Sequence, residues 1–369
     1  MRVRRSPHVI AFWRESQFVV RNYATGSAIT ANSLVFAVLE LCSEWRTGQE
    51  IQQALGIGSP VLVSKMIRGL AERSFLERSD RPRDPRERAM TALDRWNPEA
   101  GVFHTATKDV RFWSPQEAAR QARRQQSAGK MPATQKQYRG APRTDLPKPG
   151  GGEFAKVALA RRTWRRFSST PVSLEDLATI LGLSAGVQKW VRVGEREVPL
   201  KTSPSGGARH PVEVYVVARD VRGLDSGIYH YAAGRHALER LQRGATAEQI
   251  RAYLPHSGYF AGASALVLFT AVFERQVWRY PYARAYRAAL VEVGHLCQTF
   301  CLAATSLGLA SFSVMGLADS LIERDLGIDG VGESVLYAAG VGRPPAGTAW
   351  APLPRGHLRV RDNPRLRRH

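Results

Sequence analysis

Two stretches of the chain hold residue types able to do chemistry. In Arg161-Arg162-Thr163-Trp164-Arg165-Arg166-Phe167, four guanidiniums flank a hydroxyl. A guanidinium fork binds phosphate oxygens two at a time, and a threonine adds a further donor. The same spacing also describes the solvated basic end of a helix, and residue types alone leave both readings open. Further on, Pro204-Ser205-Gly206-Gly207-Ala208-Arg209-His210-Pro211 runs into Val212-Glu213-Val214-Tyr215-Val216-Val217. Ser205, Gly206 and Gly207 permit unusual backbone angles and let main-chain amides come close to a flat ligand. An ordinary turn into a strand has the same composition. His210 has no carboxylate or cysteine beside it in sequence, so a structural and a catalytic role stand equally. Together the two stretches suggest a phosphate grip and a backbone shelf for a planar cofactor.

Chemistry of that kind needs a scaffold, and a chain of 369 residues with 44% hydrophobic content is long enough for two domains with full cores. Cys42, Cys297 and Cys301 show neither a paired framework nor zinc spacing, so no metal is expected. Cys297 and Cys301, one helical turn apart, read as small apolar side chains. The N-terminus does not read as a signal peptide, and a reducing cytoplasm is the expected compartment. The longest apolar run, Ala261 to Phe273, is too short to cross a bilayer and reads as a buried strand, so no membrane partner is expected. A formal charge of +21 favours acidic partners, but much of it falls in segments with little apolar content.

Four regions follow from the pattern of apolar residues and breakers. Residues 1–92 read as a winged-helix-like module. Val9 to Val20 alternates as a hairpin, and a helix capped by Thr30 or Asn32 follows. Thr47 to Glu50 forms a capping-box start, Ser59-Pro60 opens a helix to Arg73, and Ser74 to Arg78 returns as a strand. Such a module suits DNA reading or peptide capture. Residues 93–152 form a joint and a basic linker in which Lys130, Arg139 and Lys148 are interspersed with Pro132, Pro142 and Pro149, read as extended or mobile. Residues 153–350 alternate helices with spaced strands, including a long helix near Ala283 to Leu307, which points to an α+β sheet rather than repeated βαβ units. Residues 351–369 are a basic tail. The chain contains no Gly-x-Gly-x-x-Gly after a strand, no Walker sequence and no Gly-x-Ser-x-Gly elbow.

Five segments occur in one order: the arginine-rich stretch, Pro204 to Glu213, Gly227-Ile228-Tyr229-His230-Tyr231, Val291-Glu292-Val293-Gly294-His295-Leu296-Cys297-Gln298, and Ser306-Leu307-Gly308-Leu309. In this order they resemble the nitroreductase superfamily, and most of all its peptide-dehydrogenase branch, the streptolysin-S-type and cyanobactin thiazoline oxidases. The resemblance covers about residues 155 to 350. The N-terminal module and the Trp96 to Lys108 joint also look like regions those dehydrogenases carry ahead of the flavin domain.

The resemblance implies a nitroreductase-like fold around FMN at a homodimer interface. Arg161, Arg162, Thr163 and Arg165 would meet the phosphate and ribityl side, Pro204, Ser205 and Gly206 would lie along the isoalloxazine, and Ser313, Val314, Met315 and Gly316 would supply the opposite edge. Where azoline-oxidising relatives have a lysine-tyrosine pair, this chain has Arg279-Tyr280. An arginine, with its pKa above ~12, cannot serve as the base a desolvated lysine becomes. Proton abstraction then falls to Tyr280, to another residue or to water, and a packed ring is the other reading of Tyr280. Arg279 is suited to hold a carboxylate or to steady an anionic tyrosine or flavin. The expected function is an FMN-dependent two-electron oxidation, such as azoline to azole, of a ribosomally made, modified peptide or an intermediate derived from it, with biosynthetic partner enzymes. The alternatives are an NAD(P)H-dependent small-molecule nitroreductase and a basic, flavin-sensing DNA-binding regulator. Nucleic acid is not the expected partner, because the helix from Ser59 to Arg73 offers only Lys65, Arg68 and Arg73 as cations.

Overall fold

The computed structural model describes residues 1–111, 113–127, 135–136, 140–147 and 150–348. The basic tail and several residues of the basic stretch, Lys130, Pro132, Arg139, Lys148 and Pro149 among them, lie outside the described residues.

The N-terminal module comprises β1 (Arg2–Arg5), β2 (Val9–Arg14), β3 (Gln17–Asn22), β4 (Ala28–Thr30), α1 (Ser33–Leu41), β5 (Arg46–Thr47), α2 (Gly48–Leu55), α3 (Pro60–Glu72) and β6 (Leu76–Arg78). Local chemistry starts each helix. Asn32 accepts from the Val35 N–H, Thr47 and Glu50 form a reciprocal capping box, and Ser59 caps ahead of Pro60. β2, β3 and β4 form one antiparallel sheet, and β1 lies between β5 and β6 in another. Val3, Val38, Leu39, Ile51, Val63, Ile67 and Phe75 fill the core between them.

A joint follows, with α4 (Pro85–Ala89), a 3₁₀ turn, α5 (Pro98–Thr107) and α6 (Pro115–Ser127). It is fastened to the rest of the chain at both ends. Behind it, buried Glu87 accepts from Asn22 Nδ2 at 2.7 Å and from the Ser6 hydroxyl. Ahead of it, His104 bonds the Tyr286 hydroxyl at 3.0 Å and the Gly330 carbonyl at 2.8 Å, and Lys108 pairs with Glu323 at 2.6 Å. The stretch read as an extended or mobile linker begins instead as the helix α6. Its start is capped reciprocally by Ser114 and Glu117, and its Ala, Arg and Gln residues are good helix formers.

The C-terminal part contains α7 (Glu153–Ala160), β7 (Val172–Ser173), α8 (Leu174–Ala185), β8 (Val187–Val193), β9 (Arg196–Lys201), β10 (Val212–Ala218), β11 (Val221–Arg222), β12 (Gly227–Ala232), β13 (Ala237–Arg243), α9 (Ala247–Tyr253), β14 (Ala265–Val272), α10 (Phe273–Arg279), α11 (Tyr286–Ser306), β15 (Ala310–Val314), α12 (Asp319–Leu326) and β16 (Glu333–Gly342). Its six-stranded sheet has the order β13-β12-β10-β14-β16-β15, and every neighbouring pair is antiparallel. β14, the centre of the longest apolar run, is buried along both faces. Alternation along β10 then assigns the two sides. Val212, Val214 and Val216 pack with α8 and α11, while Tyr215 and Val217 pack with α9 and α12. Helices on both faces of an antiparallel sheet make the α+β class expected from the sequence. The segment Ala283–Ser306 is long and apolar enough to span a membrane by composition, but over half of it is buried against α8 and the sheet, as befits a core helix.

Candidate active site

The shelf predicted at Pro204 to Pro211 is a tight 3₁₀ turn held against α10 and α11. Gly207 sits at φ +61°, and Ala208 and His210 also adopt left-handed angles, an unusual concentration for residues with a Cβ. The Ser205 hydroxyl accepts the His210 N–H at 2.9 Å, which closes the turn. A Cβ on Gly207 would stand 2.8 Å from the Tyr280 hydroxyl oxygen, so the phenol lies directly against the turn and glycine is required twice over.

Buried polar groups surround this turn. Gln276 is fully buried, its amide nitrogen lies close to Gly206, and neither amide atom has a partner among the described residues. Glu292 on α11 is almost fully buried with Oε2 unpaired. Burial pushes its carboxyl up to about 7, although the Ser205 hydroxyl, Lys201 and the Val212 N–H hold it back. His210 Nε2 donates to the Pro199 carbonyl at 3.0 Å, which leaves Nδ1 as the lone pair facing Glu292 Oε1 at 3.8 Å. Burial, with Lys201 nearby, depresses His210 to about 4, so the ring is neutral. The carboxylate neighbour that sequence order did not reveal for His210 is therefore Glu292. A buried polar atom without a partner costs about 1–3 kcal/mol, so three such atoms around one turn mark a place built for something more than packing.

The residues expected to meet a phosphate lie at the other end of α11. Arg161 caps α7, its charge is felt by Cys297 and Cys301, and the Trp164 N–H donates to the Ser311 carbonyl at 3.0 Å. The arginine-rich stretch thus runs beside β15, with Thr163 half-buried and Arg165 exposed. Neither Arg161 nor Arg165 makes a side-chain hydrogen bond or ion pair among the described residues, so their donors are unspent. Arg162 is engaged, with Nε on the Ala160 carbonyl at 3.4 Å and its guanidinium over the Trp164 ring. Ser313 and Val314 end β15, half-buried, and the Ser313 hydroxyl accepts from Tyr337 at 3.2 Å. Met315 is exposed and Gly316 half-buried just beyond. Contact with Cys301, together with burial, raises the Cys297 thiol, as expected of a packed cysteine.

Tyr280 joins the site from the far side of the chain. Trp96 Nε1, from the joint, donates to the Tyr280 carbonyl at 2.9 Å, and Arg279, exposed, holds its guanidinium 5.9 Å over the Tyr280 ring. The structure therefore brings Ser205, Gly206 and Tyr280 together in one cluster, and Arg161 and Ser313 in a second around Cys297, with Thr163 next in chain to Trp164, whose N–H meets Ser311. Both are strung along α11, about 13 Å apart by helical rise from Glu292 to Cys301. Gln276, Glu292 and Lys201 were not singled out as site residues. Glu292 lies within a segment already noted, and its one signal is a carboxylate interrupting an otherwise apolar helix stripe. Among the described residues, no group of three or more His, Cys, Asp or Glu side chains could hold a metal ion.

A helix-backed antiparallel sheet with unspent cations at one end of its central helix and a glycine turn at the other defines an α+β fold with a ligand-binding site along that helix. The family model for the nitroreductase family matches residues 158–343, half of the chain and all six strands of this sheet. A protein of Methanocaldococcus jannaschii described as a nitroreductase is 34% identical over 172 residues, 47% of this chain and 83% of its own length. This chain belongs to the nitroreductase family. The trifolitoxin-processing protein TfxB of Rhizobium leguminosarum is 32% identical over 45% of this chain, and the microcin B17-processing protein McbC of Escherichia coli is 30% identical over 34% of it. The chain spans about half the length of those two relatives, 46% and 48%. Among solved structures, the E. coli microcin synthetase McbBCD complex with truncated pro-microcin B17 bound matches at a TM-score of 0.49 with 19% identity, covering 69% of this chain and 97% of the other. A nitroreductase-type protein from Anabaena variabilis matches at 0.44 with 22% identity, over 52% of this chain and 38% of that one.

Proposed function

We propose that this protein is an FMN-dependent oxidoreductase that removes two electrons from a ribosomally made, modified peptide or from an intermediate derived from it. The observation that carries the reading is the turn at Ser205 to Gly207, with Tyr280 pressed against it and the unpaired polar atoms of Gln276 and Glu292 around it. The two peptide-processing relatives support the substrate class.

The residues present fit FMN. Gly206 and Gly207 leave backbone amides open where a Cβ would intrude, and Arg161 and Arg165 keep free guanidinium donors of the kind a phosphate takes. Arg161, Thr163 and Arg165 would hold the phosphate side, Pro204, Ser205 and Gly206 the ring, and Ser313 to Gly316 its opposite edge. When bound, FMN supplies the two-electron acceptor that the side chains themselves lack. Tyr280 has its hydroxyl at the turn, without a hydrogen bond among the described residues, and in its anionic form, beside Arg279, it is placed to take the proton from a substrate carbon next to nitrogen. Arg279, over the ring, is the cation available for a substrate carboxylate or for negative charge that develops during the reaction. A second copy of the chain would cover the exposed Leu290 and Val291 of α11 and Phe154 and Leu159 of α7. In the N-terminal module, a cleft of about 570 Å³ runs beside the edge strand β6, lined by Trp45, Arg68 and Glu72 among others, and suits capture of an extended peptide.

The test is spectroscopic. Protein purified with FMN should be yellow, and the right peptide should bleach it without oxygen. Rapid bleaching by NADPH alone would favour a small-molecule nitroreductase, and steeply salt-dependent binding of duplex DNA would favour a regulator. A colourless protein that takes up no flavin overturns the reading.

A further inference from the structure

Behind the turn lies a second cavity, of about 510 Å³, walled by the β8–β9 hairpin, the start of β10 and the β12–β13 turn. Five cationic side chains line it, Lys201, Arg209, His230, Arg235 and Arg275, against two carboxylates, Glu213 and Glu239. Both carboxylates are already engaged. His230 lies between them, with Nε2 at 3.1 Å from Glu213 and Nδ1 at 2.9 Å from Glu239, and Arg275 also pairs with Glu213. Glu213, with Glu239 behind it, raises His230 to about 9, so the ring carries charge at neutral pH.

The surplus cations are the ones with donors to spare. Lys201, half-buried, makes no hydrogen bond and no ion pair within 4.0 Å among the described residues, and the Arg235 side chain makes none either. Burial disfavours the charge on Lys201, with only distant help from Glu213 and Glu292. An ammonium in that position gains from an anion that enters the cavity. Apart from His210, the rest of the wall is apolar: the half-exposed Trp190 ring stands over Gly234, beside Val187, Pro199 and Ala232.

The cavity is also tied to the reaction site. Arg209 Nε donates to the Gly207 carbonyl at 2.9 Å, and Arg275 Nη1 donates to the His210 carbonyl at 2.9 Å. Arg275 immediately precedes Gln276, and Lys201 opens the segment that becomes the turn.

From this arrangement we infer that the cavity is an anchor for a carboxylate on the peptide substrate, its head on Lys201 and Arg235 and its stem against Trp190. The inference rests on the peptide-oxidising reading and deepens it. The backbone from Lys201 to Gly206 spans at most ~17 Å, so the anchoring carboxylate lies within roughly five residues of the residue that reacts. An Asp or Glu side chain and a C-terminal carboxylate offer the same chemistry.

Calorimetry on the full-length protein, with and without FMN, distinguishes the sources. The probes are a pentapeptide capped at both ends with a central Glu, its Gln counterpart, an all-Ala peptide with a free C-terminus, and inorganic phosphate. The Glu peptide should bind at least tenfold more tightly than the Gln peptide if a side chain is the ligand, and the free C-terminus should show that advantage if a chain end is. Lys201→Met and Arg235→Gln should each shrink the advantage to under about threefold, and Lys201→Arg should keep most of it. Arg235 lies on an exposed turn, so its variant tests the site even if Lys201→Met fails to fold. Equal binding of all three peptides, or binding of phosphate alone, overturns the inference. Flavin absorbance is read on the same samples: FMN uptake without carboxylate preference fails the anchor alone, and carboxylate preference without FMN uptake fails the flavin reading alone.

Discussion

At the level of single residues, the site divides into groups with free donors and groups with missing ones. Arg161 and Arg165 have unspent guanidiniums, and a hydrogen bond to a charged partner is worth about 1.5–3 kcal/mol. Arg161→Ala and Arg165→Ala should therefore each weaken FMN binding by about tenfold or more in a fluorescence titration, and unchanged affinity in both would remove them from the phosphate grip. Glu292 makes a pH prediction. Its carboxyl is raised from 4.5 to about 7, so between those values the folded chain holds a proton that the unfolded chain has released. Stability from this group therefore falls as pH rises through that window, by on the order of 3 kcal/mol once it is complete. His210, held neutral down to about 4, tilts the other way, losing stability as pH falls below its usual range. Glu292→Gln should thus raise Tm at pH 8 and leave it nearly unchanged at pH 5; an equal effect at both would mean that the carboxyl does not titrate there. The arginines and the glycine turn were legible in the sequence because their types are rare in such runs. Glu292 and Gln276 were not, because an orphaned polar atom is defined by neighbours from other elements.

At the level of elements, the turn between β9 and β10 is the part whose geometry the proposed reaction needs. Gly207→Ala places a Cβ at a left-handed φ and within 2.8 Å of the Tyr280 hydroxyl, whereas Gly206→Ala meets only the ring edge at 3.8 Å. The first should lower Tm by several degrees and displace Tyr280 with a loss of turnover, and the second should leave Tm nearly unchanged, a contrast read by thermal melts. Helix starts were legible almost to the residue at Asn32, Thr47 and Ser59, because capping is local chemistry. The β8–β9 hairpin, β13, β15, α10 and α12 were missed. Val187 to Lys201 is largely exposed and polar, with alternation too weak to announce a strand, and β15 is short and buried beside β16. α6 was misread because its charge suggested disorder while its helix formers and its Ser114 cap favoured a helix.

For the whole molecule, the proposed second copy would cover the exposed apolar residues along α11 and α7. Val291→Asp on that face should shift the protein toward monomer in light scattering and lower FMN retention, and an unchanged mass would place the interface elsewhere. The joint makes the two parts one unit through Trp96, His104 and Lys108, so the N-terminal module is positioned by hydrogen bonds to the family domain rather than by the length of a linker. The sequence by itself determined the family, the α+β class and the helix caps, because each is written in local composition and in the order of motifs along the chain. Only the tertiary structure decided that Tyr280 lies on Gly207, that Glu292 faces His210, and that Lys201 is left without a partner beside two carboxylates already taken. Those are relations of burial and distance between residues far apart in the chain, and packing, not spacing, sets them.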